Sequence, residues 1–424
     1  MARSALNDTT RPDETNANRA GLGIAIVLWV GLAVSLLGDN FYRVGLTWDV
    51  TASGGAARAT ALGAAMAIPM AVLGLFAGTL VDRWNHPATM IVTDLLRAAV
   101  VGVFGLLYIM SSQPAFPLVL VFAALLAGSG ACFTPAFQAW LPDLFPDRER
   151  LIRFDALFLT TISGIGVVGP ASAGLLYPVL GLRGLLLFDA VTFGVSAVAI
   201  WYVVRHHAKP AAALTSAPEP RPPRPGLVSG TKEGLGYIFG NPVLRAQFTV
   251  FPVMECAAYA LMFVLPLYLI ETGQAESWLF GALLAANAAG RALGAWLLVR
   301  SPLRHRRGVV LAGNFLTQGL ALALFCALHD PVLGLVAFAL MGLPAGASQV
   351  ALSSWVQTDV DRKIRGRVFG TLTTFVLWFM PFGPVIFGWV STSFGPRWAV
   401  AIIAATFLGG GALIAASRAV RSLR

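Results

Sequence analysis

Two opposite charges stand one helical turn apart inside an apolar stretch: Asp39 and Arg43 in "SLLGDNFYRVGLTW", residues 35–48. A bare charge facing lipid costs at least ~2.5–3.5 kcal/mol, so such residues belong against an internal cavity. At 1.5 Å per residue, Asp39 falls about 28 Å along the helix that begins near residue 20, in its outer half, with Arg43 one turn further out on the same face. A carboxyl beside a cation in partly dry surroundings can hold a proton in one state and lose it in another. Three roles are open to Asp39: proton carrier, static partner of Arg43, or substrate contact. Glu255 and Arg291 pose the same question further along the chain. Each falls near the middle of an apolar segment, where they either pair or line a cavity, and Glu255 is the second candidate proton carrier. Asp189 and Glu271 fall nearer the outer surface and are expected to be solvated.

The elements that position these residues follow from composition. Hydrophobic residues make up 57% and charged residues 12% of the 424, and apolar runs long enough to cross a bilayer recur from residue 20 to residue 416. The pattern predicts an all-α membrane protein with twelve spans: 20–47, 59–82, 88–111, 115–139, 154–179, 184–205, 245–270, 277–300, 308–329, 332–353, 368–393 and 396–417. An even number returns both termini to one side. With the termini inside, the outer loops hold only Arg58, Arg183 and Arg397 while the other loop cations fall inside, as basic loops that stay cytoplasmic require. That asymmetry accounts for the net charge of +10 through anionic membrane lipids, with no nucleic acid partner. Residues 1–19 are a polar cytoplasmic tail expected to be disordered. Residues 206–240, rich in Pro, Ala and Gly, form a cytoplasmic linker between the six-span halves 20–205 and 241–418, and 419–424 is a second tail.

The halves repeat one another. "DRERLIRFDALFLTTISGIGVVGP" (147–170) aligns with "DRKIRGRVFGTLTTFVLWFMPFGP" (361–384) at a constant offset, which pairs Gly169-Pro170 with Gly383-Pro384 and, further on, Gly181 with Gly395. Duplicated units of this kind enclose a midplane site and transport by rocking. The five histidines fall in loops or at span ends, the three cysteines lie within spans, and no nucleophile triad, metal spacing or phosphate-binding loop occurs. Enzymatic chemistry and a cofactor are not expected. Asp94 and Arg97 lie three apart on one helix face and are expected to pair near the inner end of the third span.

Several motifs carry a family resemblance. "GTLVDRW" (78–84) resembles the first signature of the major facilitator superfamily, with Gly78, Asp82 and Arg83 at its spacing, although "NHPA" (85–88) replaces the usual glycine and basic tail. "GVVGPASAG" (166–174) resembles the antiporter signature, with Gly166, Gly169, Pro170 and Gly174 in place and Ala173 substituted. "TDLLRA" (93–98) and "FTPAFQAWLPDLFP" (133–146) suggest the drug-efflux branch that includes macrolide exporters and the enterobactin exporter. A basic residue that many proton antiporters carry early in the fourth span is missing. The resemblance implies a monomeric exporter of an amphipathic small molecule in the bacterial cytoplasmic membrane, coupled to protons. A lipid or lysolipid flippase of the same fold is the alternative. Gly78, Asp82, Arg83, Asp94 and Arg97 would serve gating. Asp82 would meet the positive end of the eleventh span near Val368 when the cytoplasmic side closes. The fifth span would use its glycines and Pro170 for close packing or as a hinge. Trp29, Met66, Met70, Phe133, Tyr259, Met262, Phe263, Trp378 and Phe379 are candidates for an adaptable apolar binding wall.

Overall fold

A computed structural model of the protein describes residues 12–81, 84–111, 114–206, 227–361 and 364–421. Thirteen α-helices and no strand occur among the described residues: α1 (Pro12–Val81), α2 (His86–Met110), α3 (Phe116–Leu144), α4 (Arg148–His206), α5 (Leu227–Gly240), α6 (Pro242–Glu271), α7 (Ser277–Arg300), α8 (Arg307–Leu328), α9 (Pro331–Asp359), α10 (Arg365–Phe379), α11 (Phe382–Phe394), α12 (Pro396–Ala416) and α13 (Arg418–Arg421). Among the described residues, ten helical rods are long and apolar enough to cross a membrane, α10 and α11 counting as one. Two of these are double. The apolar part of α1 runs for 52 residues, about 78 Å of helix against a hydrocarbon core of about 30 Å. It folds back at Gly55 (φ 65°, ψ −163°), as α4 does at Gly181 (φ 61°, ψ 177°). Only glycine takes that backbone without strain. Eight single and two double rods give the twelve crossings.

The sequence therefore has the spans right and the loops too long. The segments expected to link spans 1 to 2 and 5 to 6 are helical almost throughout, and each reverses at a single glycine. Helix α1 also begins at Pro12, inside the segment expected to be a disordered tail, and the linker contains α5. That helix lies on α10, with Glu233 paired to Arg367 and Gly234 against Thr371. Capping fixes other starts: Asn241 and Asp330 each accept backbone N–H groups from the first turn and are followed by a proline.

Internal symmetry is visible in the turns. The four positive-φ glycines, Gly55, Gly181, Gly273 and Gly395, close the four corresponding turns of the two halves, all on the side of the membrane opposite the chain termini. We call this the far side and the other the termini side. Seven or eight residues below those turns the halves touch through small residues. A Cβ at Gly281 would collide with the Pro170 carbonyl oxygen, and one at Gly174 would stand 2.5 Å from the Ser277 carbonyl oxygen. In the other crossing, a Cβ at Gly63 would meet Pro384 at 2.5 Å and one at Gly388 would collide with Thr60. Gly63 and Gly281 are separated by 218 residues, as are Gly55 and Gly273, while Gly174 and Gly388 keep the separation of 214 that joins Gly181 to Gly395. The duplication thus extends to which helix touches which.

Core packing differs between the two sides. On the far side the cores are shared: Phe41, Val44, Trp48, Ala173 and Leu185 of the first half pack into the main cluster of the second, and Phe263 and Leu267 of the second pack into the first. Trp48 stacks on Phe280 at 6.0 Å, and the Ser277 hydroxyl donates to the Gly174 carbonyl at 3.0 Å. On the termini side each half has a separate core, one around Leu28, Phe137, Trp140 and Val203, the other around Leu244, Trp355, Val356 and Val368. No residue from 155 to 164 on α4 is buried. Phe158 and Thr161 pack on Phe137 and Trp29 of the same half, and the other faces of this terminal half of the span, exposed, line a gap between the halves. The molecule is closed on the far side and open on the termini side.

Within the second half, α7 and α9 cross at backbone contact. A Cβ at Gly294 would collide with the Leu343 carbonyl oxygen, and one at Gly346 with that of Arg291. Gly294→Ala should therefore destabilise the protein by about 1–3 kcal/mol. Gly409→Ala, where nothing lies within 4 Å, should be neutral. Thermal unfolding of the purified variants measures both.

Candidate functional site

The first half concentrates its charge around Arg97. Positioning begins with Gly31, Gly38 and Gly45, spaced by seven so that they fall on one face of α1. Their missing side chains admit the last six turns of α4: a Cβ at Gly31 would stand 2.5 Å from Ala199, one at Gly38 would stand 2.4 Å or less from Asp189 and Thr192, and one at Gly45 would stand 2.8 Å from Leu185. This brings Asp39 beside Asp189. Helix α2 supplies Arg97, which pairs with Asp94 at 2.5 Å and reaches Asp39 at 3.9 Å. Its guanidinium lies between the rings of Phe133 and Phe193, 4.7 and 4.5 Å from their centroids, a placement that favours a cation held away from water. The side chain of Asp94 is wholly buried and that of Arg97 only 7% exposed, whereas Asp39 retains 36%. Arg43, on the same face as Asp39, turns to the other half and donates to Met262 Sδ at 3.8 Å. The Asp39 face of α1 therefore looks across the central cleft.

Several expectations need correction. The ion-pair partner of Asp39 is Arg97, and no pair shorter than 4 Å joins it to Arg43, because one turn of helical spacing aligns two Cα atoms without turning both heads together. Asp94 and Arg97 do pair, but near the middle of α2 in the charge cluster, not at its end. Asp189 is fully buried, not solvated: with Gly181 alone as the turn, residue 189 already lies about two turns, ~12 Å, below the surface. Glu271 sits at the far-side end of α6, where it accepts the Arg397 backbone N–H at 3.1 Å and faces its guanidinium at 3.8 Å.

The second half encloses a cavity of about 210 Å³ between α6, α7, α8, α9 and α12. Glu255 and Arg291 both line it, as expected of cavity residues, yet no ion pair shorter than 4 Å joins them. Equal depth on two helices does not fix the direction in which their side chains point. Five carboxamides, Gln247, Asn287, Asn314, Gln318 and Gln349, and Ser348 form the rest of the polar wall, while Met254, Met262, Met341 and four phenylalanines stand on the apolar wall. Of the aromatic and methionine candidates only Met262 belongs to it. Phe133 serves Arg97, Met66 and Phe263 are core, and Met70, Trp378 and Phe379 are exposed. The carboxamides carried no signal in the sequence beyond being uncharged polar residues at helical spacing.

Of the motif residues, Gly169 lies against Asn40 of α1, where a Cβ would stand 2.8 Å from that side chain, and Gly166 lies against Ala288 at 3.7 Å. Pro170 and Gly174 belong to the crossing with α7. Gly78 is helical within α1. Asp82 and Arg83, the remaining gating candidates, lie outside the described residues.

The two charge pairs should behave differently in double-mutant cycles. Arg97→Met strands buried Asp94 and should cost about 3–5 kcal/mol, most of it regained in Asp94→Asn/Arg97→Met. Glu255→Gln and Arg291→Met should show a coupling below about 1 kcal/mol. Thermal unfolding in detergent reads both cycles.

Comparison with known proteins follows the same lines. A family model described as Major Facilitator Superfamily matches residues 28–378. The multidrug efflux pump Tap of Mycobacterium tuberculosis (strain ATCC 25618 / H37Rv) is 29% identical over 382 residues, 88% of this chain and 87% of that one. Macrolide efflux protein A of Streptococcus pyogenes is 24% identical over 362 residues, 85% of this chain and 87% of that one. Among solved structures, a bacterial homologue of the human lysosomal transporter Spinster, in an inward-facing and unoccupied conformation, superposes with a TM-score of 0.69 at 13% identity over 95% of this chain and 96% of that one. The nucleoside transporter NupG superposes with a TM-score of 0.68 at 11% identity over 95% and 100%. These structures bear on the fold alone. With a duplicated twelve-span bundle, a cleft between its halves and a family match over most of its length, this chain belongs to the Major Facilitator Superfamily and is a multi-pass bacterial membrane transporter.

Proposed function

We propose that the protein exports an amphipathic small molecule from the cytoplasm in exchange for entering protons, by alternating access. The observation that carries this reading is the position of Asp39: a carboxylate 36% exposed, on the α1 face that looks across the cleft, sharing a guanidinium already committed to Asp94. An acid so placed can exchange protons with water in the cleft while its partner balances the charge change. The relatives named as multidrug and macrolide efflux pumps support export of drug-like molecules. The excess of basic residues in the termini-side loops supports a cytoplasmic position for that side and for both termini, in the cytoplasmic membrane.

The cavity beside Glu255 serves as the substrate wall. Methionine and phenylalanine surfaces adapt to varied apolar shapes, and the carboxamides both donate and accept hydrogen bonds. Arg43 against Met262 joins the Asp39 face to this wall across the cleft, so substrate occupancy and protonation are adjacent events. Pro170, Gly174 and Gly281, with Gly63, Pro384 and Gly388, serve as the two crossings about which the halves rock.

Asp39→Asn should abolish accumulation of a fluorescent amphipathic dye driven by a pH gradient in liposomes, while dye binding stays within about tenfold of wild type, roughly 1.4 kcal/mol. Undiminished uphill transport by the variant would eliminate Asp39 as the exchanging acid. Dye movement that ignores the pH gradient in the wild type would point to a flippase of the same fold.

A further inference from the structure

The first half buries more carboxylate than its cations balance. Asp189 is fully buried. Its Oδ1 accepts from the Thr192 hydroxyl at 3.2 Å, and its Oδ2 has no hydrogen-bond partner. No cation among the described residues lies within ion-pair distance of it. The charges that bear on it are Asp39 of α1 and Asp94 and Arg97 of α2. Tyr42 of α1, whose buried hydroxyl is also without a partner, faces Asp189, Asp39, Arg43 and Tyr259 of α6. From α4 itself comes Thr192. Arg97 is the one buried guanidinium among three carboxylates, and Arg43 is exposed and turned to Met262.

Of the three, Asp189 is buried with no cation at ion-pair distance among the described residues, so the cluster holds fewer charges than acids. Asp94 has Arg97 at 2.5 Å, and Asp39 has both Arg97 and the cleft. Asp189 has neither a paired cation nor exposure to the cleft. We propose that Asp189 is the internal proton store of the transporter, with Asp39 as its gate to the cleft. Transfer conserves charge: the Asp189 O–H bond breaks as an Asp39 O–H bond forms, so the pair holds one proton throughout and Asp39 then exchanges it with water. The stored proton is a property of the cluster. Its role in driving transport rests on the export reading above.

Infrared difference spectroscopy of the full chain in lipid nanodiscs, stepped in pH without substrate, tests the store. The wild type should show a protonated-carboxyl stretch that persists at neutral pH. Asp189→Asn should lose that band, while Asp39→Asn should keep it and change the pH range over which it titrates. Because an asparagine copies the shape and neutrality of a protonated aspartate, Asp189→Asn should accumulate and unfold thermally like the wild type. A variant that retains the band, or that fails to fold because it needs the charge, overturns the proposal. In liposomes under a pH gradient, with ethidium as the probe, Asp189→Asn should lose uphill accumulation by at least about tenfold. If the wild type does not move the dye uphill yet the band is lost in Asp189→Asn, the export reading fails and the store stands. If the wild type pumps and Asp189→Asn pumps equally with its band intact, the store fails and the export reading survives.

Discussion

One guanidinium in the apolar interior organises the first half of this transporter. Arg97 has almost no access to water, and its charge is met by Asp94, by Asp39 at longer range and by two aromatic faces. Removing one partner of such a buried pair leaves the other uncompensated, at a cost of several kcal/mol. Every element that touches Arg97 is therefore held in register: α2 carries it, α3 supplies Phe133, α4 supplies Phe193 and α1 supplies Asp39. A site that must change protonation without losing its architecture gains from this arrangement. Asp94 keeps the arginine neutralised while Asp39 and Asp189 are free to differ in proton content.

The second constraint is steric. Lipid tails are as apolar as leucine, so helices associate in the membrane through close packing and not through burial alone. Small residues mark each essential contact: Gly31, Gly38 and Gly45 between α1 and α4, Gly174 and Gly281 between the halves, Gly294 and Gly346 between α7 and α9. The inter-half crossings lie at one depth near the far side and are related by the duplication. Contacts at one depth allow the halves to tilt about that level while the termini side opens or closes. The two halves have also diverged in content: the first holds the charge cluster and the second the carboxamide-lined cavity, joined where Arg43 meets Met262.

Much of this was legible in the residues. Apolar run length located twelve spans, and the offset that pairs Gly169-Pro170 with Gly383-Pro384 revealed two halves, because both signals depend on local composition or exact spacing. Azimuth was not legible. Asp39 and Arg43, or Glu255 and Arg291, agree in depth, but which way each head points depends on the neighbouring helix. Asp189 lies deeper than its place in the sequence suggests, because a single glycine turns the chain at 181. The glycines at 31, 38 and 45 are the signal of that burial: a seven-residue spacing of small residues announces a closely packed helix on the face beside Asp39.

The central claim is that proton occupancy of the Asp39–Asp189 cluster sets which side of the cleft is open. The account requires the termini-side-open form, in which Asp189 and Asp94 are buried around a single guanidinium, to be the form that holds the proton. By linkage, the form that binds more protons gains population as pH falls. The most direct measurement is the distance between spin labels at positions 157 on α4 and 297 on α7, termini-side positions whose leucines are 47% and 39% exposed, followed against pH in lipid without substrate. The account predicts that acidification shifts the distribution to the long distance and that Asp39→Asn/Asp189→Asn abolishes the dependence. A distance that is indifferent to pH in the wild type, or that shortens on acidification, would contradict it.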